Sequence, residues 1–255
     1  MGYKILDYAI GLVFRHFGDA LRLSALPYLI QCVATLAVAF LFPMRAANGH
    51  FDASFVAASF VVGVISVVMG LWIAVAWHRY VLLDEMPGAY APRFNGNRIL
   101  AYFGNSIILG LIAVVLIVIA SVILGLLVAA LSPTLGNSSA IGLFIGPFIL
   151  IYFPIAVLMY RLGLILPASA VGKPIRMGGA WAATRGATGA ILALAFLSVL
   201  AVLVLSIPGI FWPGSWFATV WGLLVGWVEV VVGVSILTTL YGYYVEKRTI
   251  PGLNG

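Results

Sequence analysis

The chain has 255 residues, of which 64% are hydrophobic and only 8% are charged, with a formal net charge of +6. A soluble domain has about 25% charged residues, so this composition excludes a water-soluble globular protein. The single cysteine, Cys32, excludes a disulfide framework and a zinc site built from thiolates.

Six hydrophobic stretches are long enough to cross a bilayer, which needs about 20 apolar residues per helix. They lie at about Leu21–Phe42, Phe55–Trp77, Ser106–Leu131, Ala140–Leu166, Ala187–Ile207 and Ser215–Tyr241. The sequence therefore predicts an all-α integral membrane protein with six transmembrane helices, which form one membrane domain over 1–255. The N-terminus lacks a signal-peptide cleavage site, so we expect the first helix to be an uncleaved anchor.

Amphipathic segments precede the odd-numbered transmembrane helices. In the first segment the apolar residues share one helical face, formed by Leu6, Ile10, Val13, Phe14, Phe17 and Leu21. That pattern is typical of a helix lying in the headgroup region. "RILAYFGNS" from Arg98 and "MGGAWAATR" from Met177 are the corresponding candidates further along the chain.

The basic residues predict the orientation. When successive loops are assigned to alternate sides, twelve of the thirteen lysines and arginines share one side, and Arg45 alone lies on the other. The twelve are Lys4, Arg15, Arg22, Arg79, Arg93, Arg98, Arg161, Lys173, Arg176, Arg185, Lys247 and Arg248. By the positive-inside rule both termini are cytoplasmic. This explanation of the net charge is preferred to nucleic-acid binding, and it adds attraction to anionic membrane lipids.

The ends of the even-numbered helices resemble one another. They read "AWHRYVLLDEMPG", "LMYRLGLILPASAVGKP" and "TLYGYYVEKRTIPG", and Arg79 and Arg161 are 82 residues apart. Aromatic and basic residues collect at helix ends in any multi-pass protein, but the common spacing favours a true repeat. We therefore predict three tandem helical hairpins, each with an interfacial segment, in units of about 1–88, 89–172 and 173–255.

Aromatic and basic side chains are placed where the predicted helices meet the membrane surfaces. The predicted interfacial residues are Trp77, Arg79, Tyr80, Tyr160, Trp181, Arg185, Trp212 and Trp216.

Small residues recur at helical spacing in every even-numbered helix. The predicted helix-packing residues are Ser59, Gly63, Ser66, Gly70, Gly142, Gly146, Gly222, Gly226 and Gly233. Small residues at this spacing let two helices approach closely in lipid. The pattern therefore predicts a compact bundle with pseudo-threefold symmetry.

One carboxylate, Glu229, lies inside the last hydrophobic stretch, on the stripe of Gly226 and Gly233. A charged side chain near the bilayer centre costs about 2.5 to 3.5 kcal/mol, so we expect Glu229 to face another helix and to contact Gln31. A proton or cation site and a single interhelical hydrogen bond are both open interpretations. Arg161, the third polar residue of the membrane region, lies near the end of the fourth helix.

No arrangement of residues typical of catalysis is present. His16, His50 and His78 fall on different segments and do not form a metal site, and no phosphate-binding loop occurs. The sequence therefore predicts no metal, no cofactor and no enzymatic activity. Pro147 and Pro154 predict a kink in the fourth helix, a feature that broken helices of transporters share.

The segment from Tyr160 resembles a pattern in uncharacterised bacterial membrane proteins, the group of YciC-like proteins and of the membrane domain found beside glycerophosphodiester phosphodiesterases. The matching residues are Arg161, "LPA" at 166–168, and the alanine-rich stretch 180–185. Gly179 stands where that group usually has an acid, and the soluble phosphodiesterase domain is absent. The resemblance implies the six-helix fold and a bacterial inner-membrane location, but no catalytic residues.

These patterns favour a non-catalytic inner-membrane protein that packs against membrane lipids and other integral membrane proteins, as an accessory, assembly or structural subunit. The alternative is a transporter or channel for a small solute or lipid, built around Glu229, Gln31 and the kinked fourth helix.

Overall fold

The computed structural model describes residues 1–41, 53–88, 91–135, 153–212 and 214–251, and every regular element within them is a helix. A short 3₁₀ turn, Arg185–Ala187, leads into the eighth helix. The helices in chain order are α1 (Gly2–Arg15), α2 (Phe17–Leu41), α3 (Ala53–Leu83), α4 (Gly96–Leu135), α5 (153–162), α6 (Ile165–Val171), α7 (Met177–Ala183), α8 (Thr188–Phe211) and α9 (Trp216–Tyr244).

Six helical stretches of the described chain are long and apolar enough to cross a membrane, which confirms the predicted number. They are Phe17–Leu41, Ala53–Leu83, Gly96–Leu126, Phe153–Val171, Arg185–Phe211 and Trp216–Tyr244. Several begin earlier or end later than the hydrophobic runs, because helical structure continues through the polar residues at the helix ends.

The second predicted interfacial segment is not a separate helix. "RILAYFGNS" forms the first turns of α4, which runs without interruption from Gly96. Ile99 and Tyr102 are buried there, 8% and 5% exposed, because this part of α4 packs against α3 and α6. Gly104 and Asn105 alone do not end the helix, so the amphipathic turn and the membrane-crossing stretch become one element.

Buried residues are concentrated at one end of the bundle. They lie early in α2, α4 and α8, as at Leu23 and Ile191, and late in α3 and α9, as at Trp77 and Leu240. We call this the basic end, because it also holds Arg79, Arg98, Arg161, Lys173 and Arg248. In lipid, association of helices depends on packing and on hydrogen bonds between them, and both are densest here.

Contacts between α2 and α9 show that these helices are antiparallel. The Trp227 indole donates to the Ser24 hydroxyl at 2.8 Å, and the Tyr28 hydroxyl donates to the Leu223 carbonyl at 2.6 Å. Further along, the rings of Phe40 and Trp216 lie 5.4 Å apart. The start of α2 therefore lies beside the second half of α9, at the basic end.

Helix α1 packs against α8 and α9 and does not lie apart from the bundle. Its buried side is Gly2, Ile5, Ala9, Leu12 and Val13. The Ser235 hydroxyl of α9 donates to the Ala9 carbonyl at 2.9 Å, an approach that a larger residue on this side of α1 would hinder. The predicted apolar face is displaced from the buried one, since it includes Phe14, which is 59% exposed.

Arginines cap the C-terminal ends of other helices at the basic end. Arg248 donates to the carbonyl of Leu82 at 2.5 Å, on the last turn of α3, and Arg79 donates to the carbonyl of Ala170 at 3.1 Å, on the last turn of α6. Carbonyls at a helix C-terminus lack intrahelical partners and carry the negative end of the helix dipole. The arginines therefore tie α3, α6 and the segment after α9 together.

A left-handed residue follows each of α3, α6 and α9. These residues are Asp84 (φ 53°), Gly172 (φ 82°) and Lys247 (φ 57°). Left-handed residues commonly end helices, and glycine adopts this conformation without strain. A threefold repeat would produce this recurrence, but the repeat itself stays a prediction.

The fourth membrane-crossing stretch is interrupted at a glycine. A turn at Gly163 and Leu164 separates α5 from α6. A side chain on Gly163 would collide with the Met159 carbonyl and approach Leu237 of α9 to 3.0 Å, so glycine allows the close contact with α9. Pro154 is the second described residue of α5, and Pro147 lies outside the described residues, as do Gly142 and Gly146.

Replacing Arg79 by methionine is expected to lower the free energy of unfolding by about 2 kcal/mol, because Glu85 loses a partner while remaining mostly buried. The Arg79 Nε donates to Glu85 at 2.6 Å, and the two side chains are 18% and 17% exposed. Equilibrium unfolding in mixed micelles measures the change. As a control, Arg22→Met removes a 3.7 Å pair with Asp19 whose arginine is 65% exposed, and we expect less than about 0.5 kcal/mol. Equal losses in the two variants would contradict the prediction.

Candidate functional site

The candidate site is a cleft of about 270 Å³ between α1, α8 and α9, to which α5 contributes Tyr160. Its walls are almost wholly apolar. The wall residues include Leu6, Ile10 and Phe14 of α1, Ser198, Val202 and Leu205 of α8, and Val228, Glu229 and Val232 of α9.

The rotation of α9 places Glu229 in this cleft. Leu223 and Trp227 mark the side of α9 that faces α2, through their hydrogen bonds to Tyr28 and Ser24. Each residue turns an α-helix by about 100°, so Glu229 lies about 200° around the axis from Trp227. Glu229 therefore lies outside the face that Trp227 presents to α2, on the side where α1 and α8 pack.

Glu229 has no partner of its own in the described part of the chain. Its side chain is exposed, and it forms no hydrogen bond or ion pair with a described residue. The Ser198 hydroxyl on the opposite wall is buried and also lacks a hydrogen-bond partner among the described residues. Buried polar groups are almost always hydrogen-bonded. The cleft therefore holds one buried hydroxyl without a partner, that of Ser198, and one exposed carboxylate, that of Glu229, which forms no hydrogen bond with a described residue.

Glu229 lies close to the middle of its helix. It follows Trp216 by 13 residues and precedes Tyr244 by 15, so it lies roughly 20 Å from either end at 1.5 Å per residue. The hydrocarbon core of a bilayer is about 30 Å thick. A bilayer centred on α9 would place Glu229 near its midplane.

The predicted contact between Glu229 and Gln31 is not formed. No hydrogen bond joins these two residues, and the backbone carbonyl of Gln31 accepts from the Thr35 hydroxyl at 2.9 Å. The reason is the rotation of α9, which presents Leu223 and Trp227 to α2. Tyr28 and Ser24, one and two turns before Gln31, make the hydrogen bonds between α2 and α9, and their partners are Leu223 and Trp227.

Most of the predicted glycine seam is open. An added side chain at Gly63, Gly70, Gly222 or Gly233 would meet nothing within 4 Å. Gly226 alone of the described members has a close neighbour, the Tyr28 hydroxyl, 2.9 Å from where a Cβ would lie. The described residues therefore do not show close helix packing through these glycines. Ser59 and Ser66 of the same predicted set are half-buried on α3.

Arg161 is buried at the basic end, 5% exposed. Its guanidinium lies over the Trp181 ring, 4.6 Å from the centroid, and donates to the Thr188 hydroxyl at 2.6 Å. No carboxylate lies within ion-pair distance in the described chain. The sequence placed Arg161 at a helix end, but only the fold brings Trp181 over it.

The predicted interfacial residues divide into two groups. Trp212, Trp216 and Arg185 are exposed, as a membrane-surface position requires. Trp77 is 1% exposed and belongs to the core, so other helices surround it, and its interfacial depth stays a prediction. Neighbouring helices surround the end of α3, and they enclose a residue that the sequence places at the end of a hydrophobic run.

Tyr80 and Arg79 make specific contacts at the basic end. The Tyr80 hydroxyl donates to Asp19 at 2.7 Å and lies 3.2 Å from His16 Nδ1. Arg79 pairs with Glu85, as described above. Trp181 remains 42% exposed on the side away from Arg161, which agrees with a position at the membrane surface.

A hydrogen-bonded group in the core was not predicted. His78 is fully buried, with Nδ1 2.8 Å from the Thr238 hydroxyl and Nε2 3.3 Å from the Tyr102 hydroxyl. The three residues come from α3, α9 and α4. The sequence feature that could have predicted this group is one polar residue in each of three apolar helices, at similar distances from the basic end. The described residues contain no group of three metal-ligating side chains.

The fold defines an all-helical, multi-pass membrane protein, and an apolar cleft opens between α1, α8 and α9. No protein-family model, curated protein or solved structure matches this chain.

Proposed function

We propose that this protein is a non-catalytic accessory or assembly subunit of the bacterial inner membrane, which binds another integral membrane protein through the Glu229 cleft. The observation that carries the proposal is the unpaired Glu229 beside the unsatisfied Ser198 hydroxyl in apolar walls. The basic end faces the cytoplasm, with both termini on that side, as the positive-inside rule indicates.

The chemistry of the cleft suits one kind of partner. Lipid tails offer Glu229 no hydrogen bond, and an unpaired charge at this depth costs about 2.5 to 3.5 kcal/mol. A transmembrane helix carrying a lysine, arginine, asparagine or glutamine at mid-depth supplies a donor to Glu229. Its apolar side chains pack against Ile10, Phe14 and Val202, which line the same cleft. Polar residues inside membranes usually pair with one another in this way.

Site-specific photocrosslinking tests the proposal. A benzophenone amino acid at Phe14, on the cleft wall, is expected to form an adduct with one transmembrane segment in intact cells. The same probe at Leu224 is the matched control, since Leu224 is 58% exposed on α9 and does not line the cleft. Support requires that the crosslinked peptide holds a basic or amide residue within one helical turn. Adducts to lipid alone, or equal adducts from both positions, would overturn the proposal.

A second candidate function is transport of a small solute or lipid, and the volume of the cleft favours it. About 270 Å³ around one carboxylate is close to the lower limit of small-ligand sites. The break between α5 and α6 lies only a few residues from Tyr160 on the cleft wall. Solute flux into proteoliposomes that requires Glu229, together with no protein adduct at Phe14, would favour transport.

A further inference from the structure

A second pocket, separate from the Glu229 cleft, lies at the basic end where the chain leaving α9 meets the turn before α8. Its volume is about 410 Å³. The residues that matter are Gly186 and Ala187 on one side, and Tyr243, Tyr244, Lys247 and Arg248 on the other.

The pocket is positively charged. Among the residues that the structure describes, no carboxylate lines it, while Lys247 and Arg248 both do. The nearest acid along the chain, Glu246, is already paired, with Arg248 at 2.7 Å and with Lys173 at 3.1 Å. Lys247 is exposed and forms no hydrogen bond or ion pair with any described residue. Its ammonium group is therefore available to a ligand.

The backbone at Lys247 is in a conformation that favours glycine. Its φ is 57°, and Lys247 lies three residues beyond the end of α9. Side chains other than glycine, asparagine and aspartate are uncommon in this region. Residues held in such conformations cluster at functional sites, so a lysine here points to a use for its side chain.

A third cation lies behind the pocket wall. Arg161 donates to Thr188, the residue that directly follows the turn formed by Gly186 and Ala187. Arg161 is 5% exposed and has no carboxylate partner among the described residues. A guanidinium in such a place is less screened than one in water, so it adds to the positive potential of the pocket.

We infer that this pocket binds a phosphate ester, supplied by the headgroup of an anionic membrane lipid. The pocket lies where the crossing stretches Arg185–Phe211 and Trp216–Tyr244 meet their polar end, which is the depth of lipid phosphates. Lys247 supplies the unpaired charge, because the Arg248 guanidinium is held by Glu246 and by the Leu82 carbonyl. The hydroxyl groups of Tyr243 and Tyr244 supply neutral donors. The inference does not depend on the Glu229 cleft or on its partner.

The test measures binding of phosphatidylglycerol to the purified full chain in zwitterionic micelles by native mass spectrometry. Lys247→Gln is expected to weaken binding about fivefold, the effect of one lysine near an anionic membrane surface. Lys4→Gln is the matched control, because Lys4 is another exposed lysine of the chain, on α1 and outside this pocket. We expect it to change binding less than about twofold.

Lys247→Gly distinguishes an effect on lipid binding from an effect on the stability of the fold. It is expected to weaken binding as much as Lys247→Gln while leaving the unfolding temperature unchanged or raised, because glycine adopts the positive φ without strain. Soluble glycerol phosphate in the same assay distinguishes a lipid headgroup from a free phosphate ester. Binding of the lipid but not of the soluble ester supports a headgroup site. Equally tight binding of the soluble ester would overturn the assignment to a lipid headgroup. Equal weakening by Lys4→Gln and Lys247→Gln would overturn the site itself.

Discussion

Replacing Glu229 by leucine is expected to weaken capture of the partner protein about 100-fold while improving insertion of α9 into the membrane. Removing one member of a desolvated charge pair costs about 2 to 5 kcal/mol, and 1.4 kcal/mol corresponds to a factor of about ten. Affinity capture of the full chain from mild detergent, quantified against wild type, measures the first effect.

The opposite effect on insertion makes the result informative. Acidic and basic residues at the centre of a membrane helix cost about 2.5 to 3.5 kcal/mol, whereas leucine is favourable by about 0.3 to 0.6 kcal/mol. An insertion assay on the segment Trp216–Tyr244 should therefore favour the leucine variant. A variant that inserts better and still loses its partner has lost an interaction and not its fold.

Glu229→Gln refines the expectation. Glutamine keeps a hydrogen-bonding side chain of similar size but cannot carry a negative charge. A partner that offers lysine or arginine should lose most of its binding to this variant, and a partner that offers an amide should keep most of it. Unchanged capture by the leucine variant would show that Glu229 does not contact the partner.

The number of membrane-crossing helices could be predicted because it depends on run length alone. About 20 consecutive apolar residues are needed to cross a bilayer whatever the helix packs against. The dependence on run length also explains why the predicted helix ends were less accurate than the predicted number of helices. Helical structure in α4 begins at Gly96, ten residues before the predicted crossing stretch, since backbone hydrogen bonds do not stop where apolar residues do.

The rotation of each helix could not be predicted, and the errors at the candidate site follow from this. A helix that is apolar on all sides has no preferred face in its sequence, so Val228 and Val232 do not reveal which side of α9 meets α2. Glu229 was expected to face α2 and Gln31, but Trp227 and Leu223 occupy that side. The glycine stripe did not predict the rotation of α9 either, because Gly222 and Gly233 have no close neighbour.

The sequence also did not predict which residues are buried at the basic end. Trp77 and His78 were placed at a helix end because they close a hydrophobic run, yet both are enclosed in the bundle. Trp77 packs in a cluster with residues of α1, α2 and α9, and His78 contacts residues of α4 and α9. Contacts between residues far apart in the chain, such as the one between His78 and Thr238, leave no periodic pattern.

Hydrogen bonding determines the tautomer of His78. The Thr238 hydroxyl donates to the Val234 carbonyl at 2.7 Å, so towards His78 it can only accept. Nδ1 of His78 therefore carries the proton, and Nε2 accepts from the Tyr102 hydroxyl. A neutral imidazole forms both hydrogen bonds at once, and it thereby links α3, α9 and α4.

Replacing His78 by alanine is expected to lower the free energy of unfolding by about 4 kcal/mol. The change leaves a cavity in a packed core, and it leaves the Tyr102 hydroxyl, on a residue that is 5% exposed, without the partner it now has. His16→Ala is the matched control, because His16 also contacts a tyrosine hydroxyl but is exposed. Tyr80 keeps its bond to Asp19 in that variant, so we expect a loss below about 0.5 kcal/mol.

A double-mutant cycle separates the hydrogen bond from the cavity. Tyr102→Phe removes the hydroxyl and leaves the ring, so the cavity made by His78→Ala costs the same in either background. The two changes are expected to be less than additive by about 1 kcal/mol, the usual net value of one buried hydrogen bond. Because His78 joins three helices, its loss should also broaden the unfolding transition of the whole chain. Strict additivity would mean that the 3.3 Å contact between His78 and Tyr102 contributes nothing to holding α3 and α4 together.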